Sequence, residues 1–274
     1  MTGVRVDALE VPGARLHCEV RGSGPVLLLI PGGAADTASY DGIAPLLAAD
    51  HTVVTYDPRG TSRSPAVDPE LAASVARLAD DAQRVLEAIG AGPATVFGSS
   101  AGAVTGLELA TRRPERVARL IAHEPPVTAL FPDAARHDGG RLAELQRREG
   151  TPAATARFLA DTGMAGDAPP PPTDDPAALE TLARFAANLP GFFAHTVVAV
   201  SRYEPDIEAL RSLGPRIVVA AGRDSAGQVP RRATEALAAA LGTTLVEMPG
   251  DHRGFLGAPV AFAEALRPLL DGAP

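Results

Sequence analysis

Short apolar runs alternate with segments of helical spacing along most of this chain, and that alternation restricts the fold more than any other feature. "VLLLI" (26–30), "HTVVTYD" (51–57), "ATVFG" (94–98), "ARLIAHE" (118–124), "RIVVAAG" (216–222) and "TTLVEMPG" (243–250) read as strands, preceded by "ARLHCEV" (14–20). An unbroken apolar run such as "VLLLI" suits a strand covered on both faces, which is how strands of a parallel sheet are buried. Between the runs lie "LAASVARLADDAQRVLEAIG", "AGAVTGLELATRRP", "VPRRATEALAAALG" and "PVAFAEALRPLL", each with helical periodicity. The order predicts an α/β fold: a mostly parallel sheet flanked by helices.

The rhythm breaks between residues 126 and 206, where four helix-like segments follow one another with no strand between them. A proline run in "GDAPPPPTDDP" joins them as an extended connector. The expected organisation is therefore a core at 1–125, a helical cap at 126–206 over one edge of the sheet, and the rest of the core at 207–274.

Composition removes several function classes. The 25 Lys and Arg against 33 Asp and Glu give a net charge of −8, which repels a nucleic-acid backbone. The single cysteine, Cys18, cannot form an internal disulfide, and no Cys/His spacing suits a metal, so neither metal nor cofactor is expected. No signal-peptide pattern opens the chain and no apolar run reaches the roughly 18 residues needed to span a bilayer, so a cytoplasmic protein without a membrane partner, monomer or homodimer, is expected.

The stretch "VFGSSAG" ends one apolar run and opens a helix, and it offers two adjacent serines. A nucleophile at a tight strand-to-helix turn needs small residues two positions before and two after it, because the chain folds back on itself there. Ser100 has Gly98 and Gly102 at those positions, whereas Ser99 has Phe97 and Ala101. Ser100 is the candidate nucleophile.

A serine hydroxyl needs a base to take its proton, and the base needs a carboxylate to fix its tautomer. Of six histidines, His252 in "MPGDHRGF" follows the last strand and reaches the rim that carries Ser100. Asp224, after "RIVVAAG", gives the chain order Ser, Asp, His described for this architecture. Glu124, ending "IAHEPP", is the rival acid, and Asp251 a weaker one. Backbone N–H groups of Gly33, in the turn "IPGGA", and of Ala101, directly after the nucleophile, are the expected oxyanion donors.

At this point "LLLIPGG", "VVTYDPRGTSRS", "VFGSSAG", "ARLIAHEPP", "VVAAGRDS" and "MPGDHRGF" resemble the blocks of the α/β-hydrolase superfamily, in its cap-bearing branch of esterase, lactonase and haloperoxidase-like enzymes. The resemblance covers nearly the whole chain. It implies an eight-stranded, mostly parallel sheet, a Ser100–Asp224–His252 triad and a helical lid. Pro31-Gly32 stands where many relatives have His-Gly, a departure in the oxyanion turn. Asp57, Arg59 and Ser64 look like the family's structural loop, in which a charged pair braces neighbouring turns.

The expected activity is hydrolysis of a carboxylic ester, lactone or related acyl bond in a small, largely apolar molecule. Two alternatives stand beside it: a lyase, isomerase or cyclase reaction on the same scaffold, and a ligand-binding protein without turnover. Candidate substrate contacts are Gly32, Ser99 and His123 near the rim and Phe131, Phe192 and Phe193 in the helical segment.

Overall fold

A computed structural model describes residues 4–67, 74–132, 138–165 and 173–270. Its strands are β1 (Arg5–Val11), β2 (Ala14–Arg21), β3 (Val26–Ile30), β4 (Thr52–Tyr56), β5 (Ala94–Ser99), β6 (Val117–His123), β7 (Ile217–Gly222) and β8 (Val246–Met248). They form one eight-stranded sheet in the order β1-β2-β4-β3-β5-β6-β7-β8. Only β2 runs against the rest: it pairs antiparallel with β1 and β4, and every other pair is parallel. This is the sheet the apolar runs predict, with β1 added at the edge and the last strand reduced to three residues.

The helices are α1 (Ala44–Leu47), α2 (Val75–Ala88), α3 (Ala101–Arg112), α4 (Gly139–Glu149), α5 (Thr151–Thr162), α6 (Pro176–Gly191), α7 (Val197–Ser201), α8 (Ile207–Ser212), α9 (Val229–Leu241), α10 (Gly254–Gly257) and α11 (Pro259–Leu270). Alternate residues of β3 show why the strand is apolar throughout. Leu28 and Ile30 join one core with Val85, Val104, Leu107 and Leu237 of α2, α3 and α9. Leu27 and Leu29 join another with Leu47, Phe262 and Leu266 of α1 and α11. All four β3 residues are essentially inaccessible to solvent, and each such side chain contributes about 2 kcal/mol. No helix of the described residues is long and apolar enough to cross a membrane.

Helices α4 to α7 lie between β6 and β7 in the chain and have a small core of their own, built on Leu142, Ala154, Phe193 and Val197. Much of the proline connector, residues 166–172, lies outside the described residues, as does His137. Helix α6 begins at Pro176 behind the Asp175 side chain, which accepts the Ala177 N–H, and it is fastened to the core by polar side chains. Arg184 Nε donates to Asp36 Oδ2 at 2.7 Å, and Asn188 Nδ2 donates to the Ala34 carbonyl at 2.8 Å and to Ser62 Oγ at 2.9 Å. Asp36 and Ala34 follow β3 and Ser62 follows β4, so these bonds hold α6 over the C-terminal end of the sheet.

The "YDPRGTSRS" loop braces the core by three ion pairs rather than one, among them Arg63 with Glu19 of β2 at 3.2 Å. Arg59 bonds Asp81 of α2 through two contacts of 2.6 Å, and Asp57 is paired with Arg63 at 2.8 Å. Ser64 Oγ accepts the His17 N–H at 2.9 Å. Cys18 is buried, and burial with nearby Asp7 and Asp57 pushes its thiol up to about 12, so it packs as an apolar group.

Candidate active site

Ser100 follows β5, Glu124 follows β6, Gly32 and Gly33 follow β3, and His252 follows β8. All these strands are parallel, so their ends meet on one rim, where open α/β sheets carry their sites. Ser100 itself has φ 55 and ψ −121, a conformation costly for a residue with a side chain. The surrounding glycines make it possible. A Cβ at Gly98 would lie 2.4 Å from the Gly102 carbonyl oxygen, one at Gly102 would lie 2.1 Å from that of Ile30, and one at Gly32 would lie 2.7 Å from Ser100 Cβ. Gly98 and Gly102, at the two offsets from Ser100, are thus both required by backbone packing.

Ala101 is the first residue of α3, so its N–H is one of the four that no intrahelical carbonyl accepts. Gly33, at φ 56, and Ala101 both line a cavity of about 480 Å³ together with residues of the α6 region. A second cavity of about 50 Å³ is lined by Ser100, His252 and again Ala101. Phe192 belongs to both, and its ring lies against Gly33, where a Cβ would be 3.6 Å from Cε2.

The carboxylate at the imidazole is Glu124, and this corrects the expectation placed on Asp224. His252 Nδ1 donates to Glu124 Oε2 at 2.5 Å. The other Glu124 oxygen accepts the Gly222 N–H at 2.8 Å and the Ser225 hydroxyl. Asp224 sits in the turn after β7 with an exposed side chain, and its N–H donates to the Gly250 carbonyl at 2.9 Å. Asp251 caps locally, accepting the Arg253 N–H at 2.7 Å. The reason for the exchange is conformational. Glu124 takes φ 49, which turns the chain sharply as β6 ends and leaves the carboxylate fully buried beside His252. Burial pushes that carboxyl up, but the bond and charge of His252, the His123 charge and the Ser225 bond outweigh it and hold Glu124 below the usual carboxylate range.

Other proposed contacts separate in the structure. Phe192 lines both cavities. Phe193 is buried in the core of the inserted helices, with its ring centroid 5.0 Å from that of Phe192. Phe131 is buried with the Arg232 guanidinium 5.1 Å above its ring. Gly32 backs the Ser100 turn rather than lining either cavity. Ser99 and His123 are buried behind the site: Ser99 Oγ and His123 Nδ1 are 3.4 Å apart, and His123 packs among Phe97, Phe255 and Phe262. Its ring is inclined by 29° to that of His252, with centroids 6.4 Å apart. Burial above all, then the nearby His252, lowers its value to about 4, although Glu124 and Asp251 oppose the shift, so it is neutral at pH 7.

Sequence reasoning missed Ser225 and the Gly222 N–H as supports of the carboxylate. It also missed Arg184 and Asn188, whose partners are distant in the chain. No local pattern marks them. His195 and Thr196 also line the larger cavity, from a π-helical turn at Phe192–Thr196, an irregularity common at functional sites.

A serine on a glycine-walled turn, a buried carboxylate–imidazole pair and the N–H at the start of α3 thus share one rim of an α/β sheet. The chain belongs to the alpha/beta hydrolase fold family, whose model matches residues 25–169. It is 34% identical over 268 residues to the uncharacterised hydrolase YraK of Bacillus subtilis, covering 96% of this chain and 95% of that protein. A zearalenone hydrolase of Cladophialophora bantiana is 35% identical over 126 residues, 45% of this chain and 48% of that enzyme. Among solved structures, a hydrolase from Pseudomonas aeruginosa PA01 is 26% identical and superposes with a TM-score of 0.72, over 97% of this chain and 98% of that one.

Proposed function

We propose that this hydrolase cleaves carboxylic esters, lactones or related acyl bonds of small molecules through an acyl-enzyme on Ser100. The observation that carries the reading is His252 Nδ1 bonded at 2.5 Å to a fully buried carboxylate, with the imidazole and Ser100 lining one cavity. A neutral imidazole whose Nδ1–H is donated in this way has its Nε2 lone pair available as a base. His252 takes the Ser100 proton as the hydroxyl oxygen attacks the acyl carbon, and the ionised Glu124 stabilises the imidazolium that results. The N–H groups of Gly33 and Ala101 receive the oxyanion, each worth about 3 kcal/mol where such donors have been removed. His252 then protonates the leaving oxygen. Water, activated by the same imidazole, attacks the acyl-enzyme and frees the acid. The hydrolase names of the similar proteins support net hydrolysis over the lyase, isomerase and binding alternatives. In this reading α4 to α7 act as the cap that closes the substrate cavity.

The test is labelling with a serine-directed phosphonate followed by intact-mass measurement. One adduct is expected on the wild type and none on Ser100→Ala. An unlabelled wild type that turns over no ester removes the proposal.

A further inference from the structure

The two cavities differ about tenfold in volume, 480 Å³ against 50 Å³, and they meet at Phe192 and Ala101. The larger lies in the range of roughly 300–1,000 Å³ occupied by small-molecule ligands. The smaller holds about four water-sized groups, since each needs roughly 10–15 Å³. Its walls include Phe158, Met164, Val197 and Val200, which makes it apolar. The larger is apolar toward Tyr56 and Leu78, but His195, Thr196, Thr61 and Asn188 give it polar groups.

We infer that the site divides its substrate at Phe192, with the acid portion in the larger chamber and the alcohol portion in the smaller, so that the substrate is an ester of a bulky acid with a short alcohol. The inference rests on the hydrolytic reading and names which side of the bond each chamber holds. Proton delivery sets which side of the bond faces which chamber. When the tetrahedral intermediate collapses, the bond between the acyl carbon and the leaving oxygen breaks, and that oxygen takes the proton His252 received from Ser100. The leaving oxygen must face His252, which lines only the small chamber of the two. The acyl carbon stays on Ser100, a wall of the small chamber, with its oxygen toward Gly33, a wall of the large one, and Ala101, a wall of both, so it lies where the two chambers meet. The acyl substituent then has the large chamber to fill. Phe192 is fixed between the two by edge-to-face contacts with Phe158 and Phe193, at centroid distances of 5.4 and 5.0 Å.

Two isomeric esters test this: methyl nonanoate, with its bulk on the acid, and octyl acetate, with its bulk on the alcohol. Acid release in a pH-stat gives kcat/KM for each. The wild type is expected to favour methyl nonanoate at least tenfold. Phe192→Ala, which removes the partition, and Met164→Ala, which enlarges only the small chamber, should each raise octyl acetate hydrolysis and shrink that ratio severalfold. Equal rates, or a preference for octyl acetate, overturn the division while leaving Ser100 chemistry intact. Failure of both esters together with failure of the phosphonate to label Ser100 removes the hydrolytic reading itself, so the two failures are told apart.

Discussion

Glu124 Oε2 accepts the Nδ1–H of His252 at 2.5 Å, and the same carboxylate is gripped from behind by the Gly222 N–H and the Ser225 hydroxyl. A carboxylate so held fixes both the tautomer and the tilt of the ring. Glu124→Gln keeps the shape and removes the charge, and it is expected to lower kcat by about 10³–10⁴ in steady-state ester hydrolysis. Asp224→Asn changes an exposed side chain and should leave kcat within about twofold. Circular dichroism of both variants separates catalytic loss from unfolding. The reverse ranking would return the acid role to the turn after β7.

His123 links stability to pH. Its folded value of about 4 lies below its ordinary 6.5, so between those values the unfolded chain binds the extra proton. Stability from this residue is complete above pH 6.5 and lost as pH falls toward 4, by about 3 kcal/mol. His123→Phe, a ring of similar size among Phe97, Phe255 and Phe262, should flatten that slope in urea unfolding from pH 7 to pH 4. An unchanged slope would mean that other groups cause it.

The turn at Ser100 depends on missing side-chain atoms. Gly102→Ala places a methyl 2.1 Å from the Ile30 carbonyl oxygen and 2.6 Å from that of Pro31, and backbone cannot move aside cheaply. A loss of about 3 kcal/mol in denaturant unfolding is expected. Gly92→Ala, where a methyl meets nothing within 4 Å, should stay within about 0.5 kcal/mol of the wild type.

Arg184→Ala leaves buried Asp36 with the Ser62 hydroxyl and the Ala38 N–H but without its guanidinium partner. The expected cost is about 1–2 kcal/mol. Because the bond ties α6 to the loop after β3, hydrogen exchange should quicken in peptides from 176–191 and stay unchanged in α3. Equal exchange in the two would show that Arg184 does not fasten the helix.

The sheet was legible because burial on both faces leaves a mark in composition, and "VLLLI" carries that mark in every residue. The sharp turn at Ser100 was legible because sterics demand glycine at fixed offsets, met by Gly98 and Gly102. The acid was not. Carboxylates stand at the ends of both β6 and β7, and what separates them is the left-handed φ of Glu124, which no neighbouring residue announces. The same limit hid Arg184, since its partner Asp36 precedes it by 148 positions and surface helices commonly carry arginine. Phe193 and Phe131 looked like ligand contacts because aromatic residues serve packing and binding alike.

Glu124 sits immediately after β6, hydrogen-bonded through its N–H to Ala220 of β7, and the inserted helices begin only beyond it. Ser100 and Glu124, the proposed nucleophile and acid, thus follow adjacent strands of the sheet, ahead of the helices that line much of the larger cavity. Evolution or an engineer can exchange those helices wholesale and present new specificities to an unchanged rim, provided the turn after β7 keeps Gly222 and Ser225 on the Glu124 carboxylate.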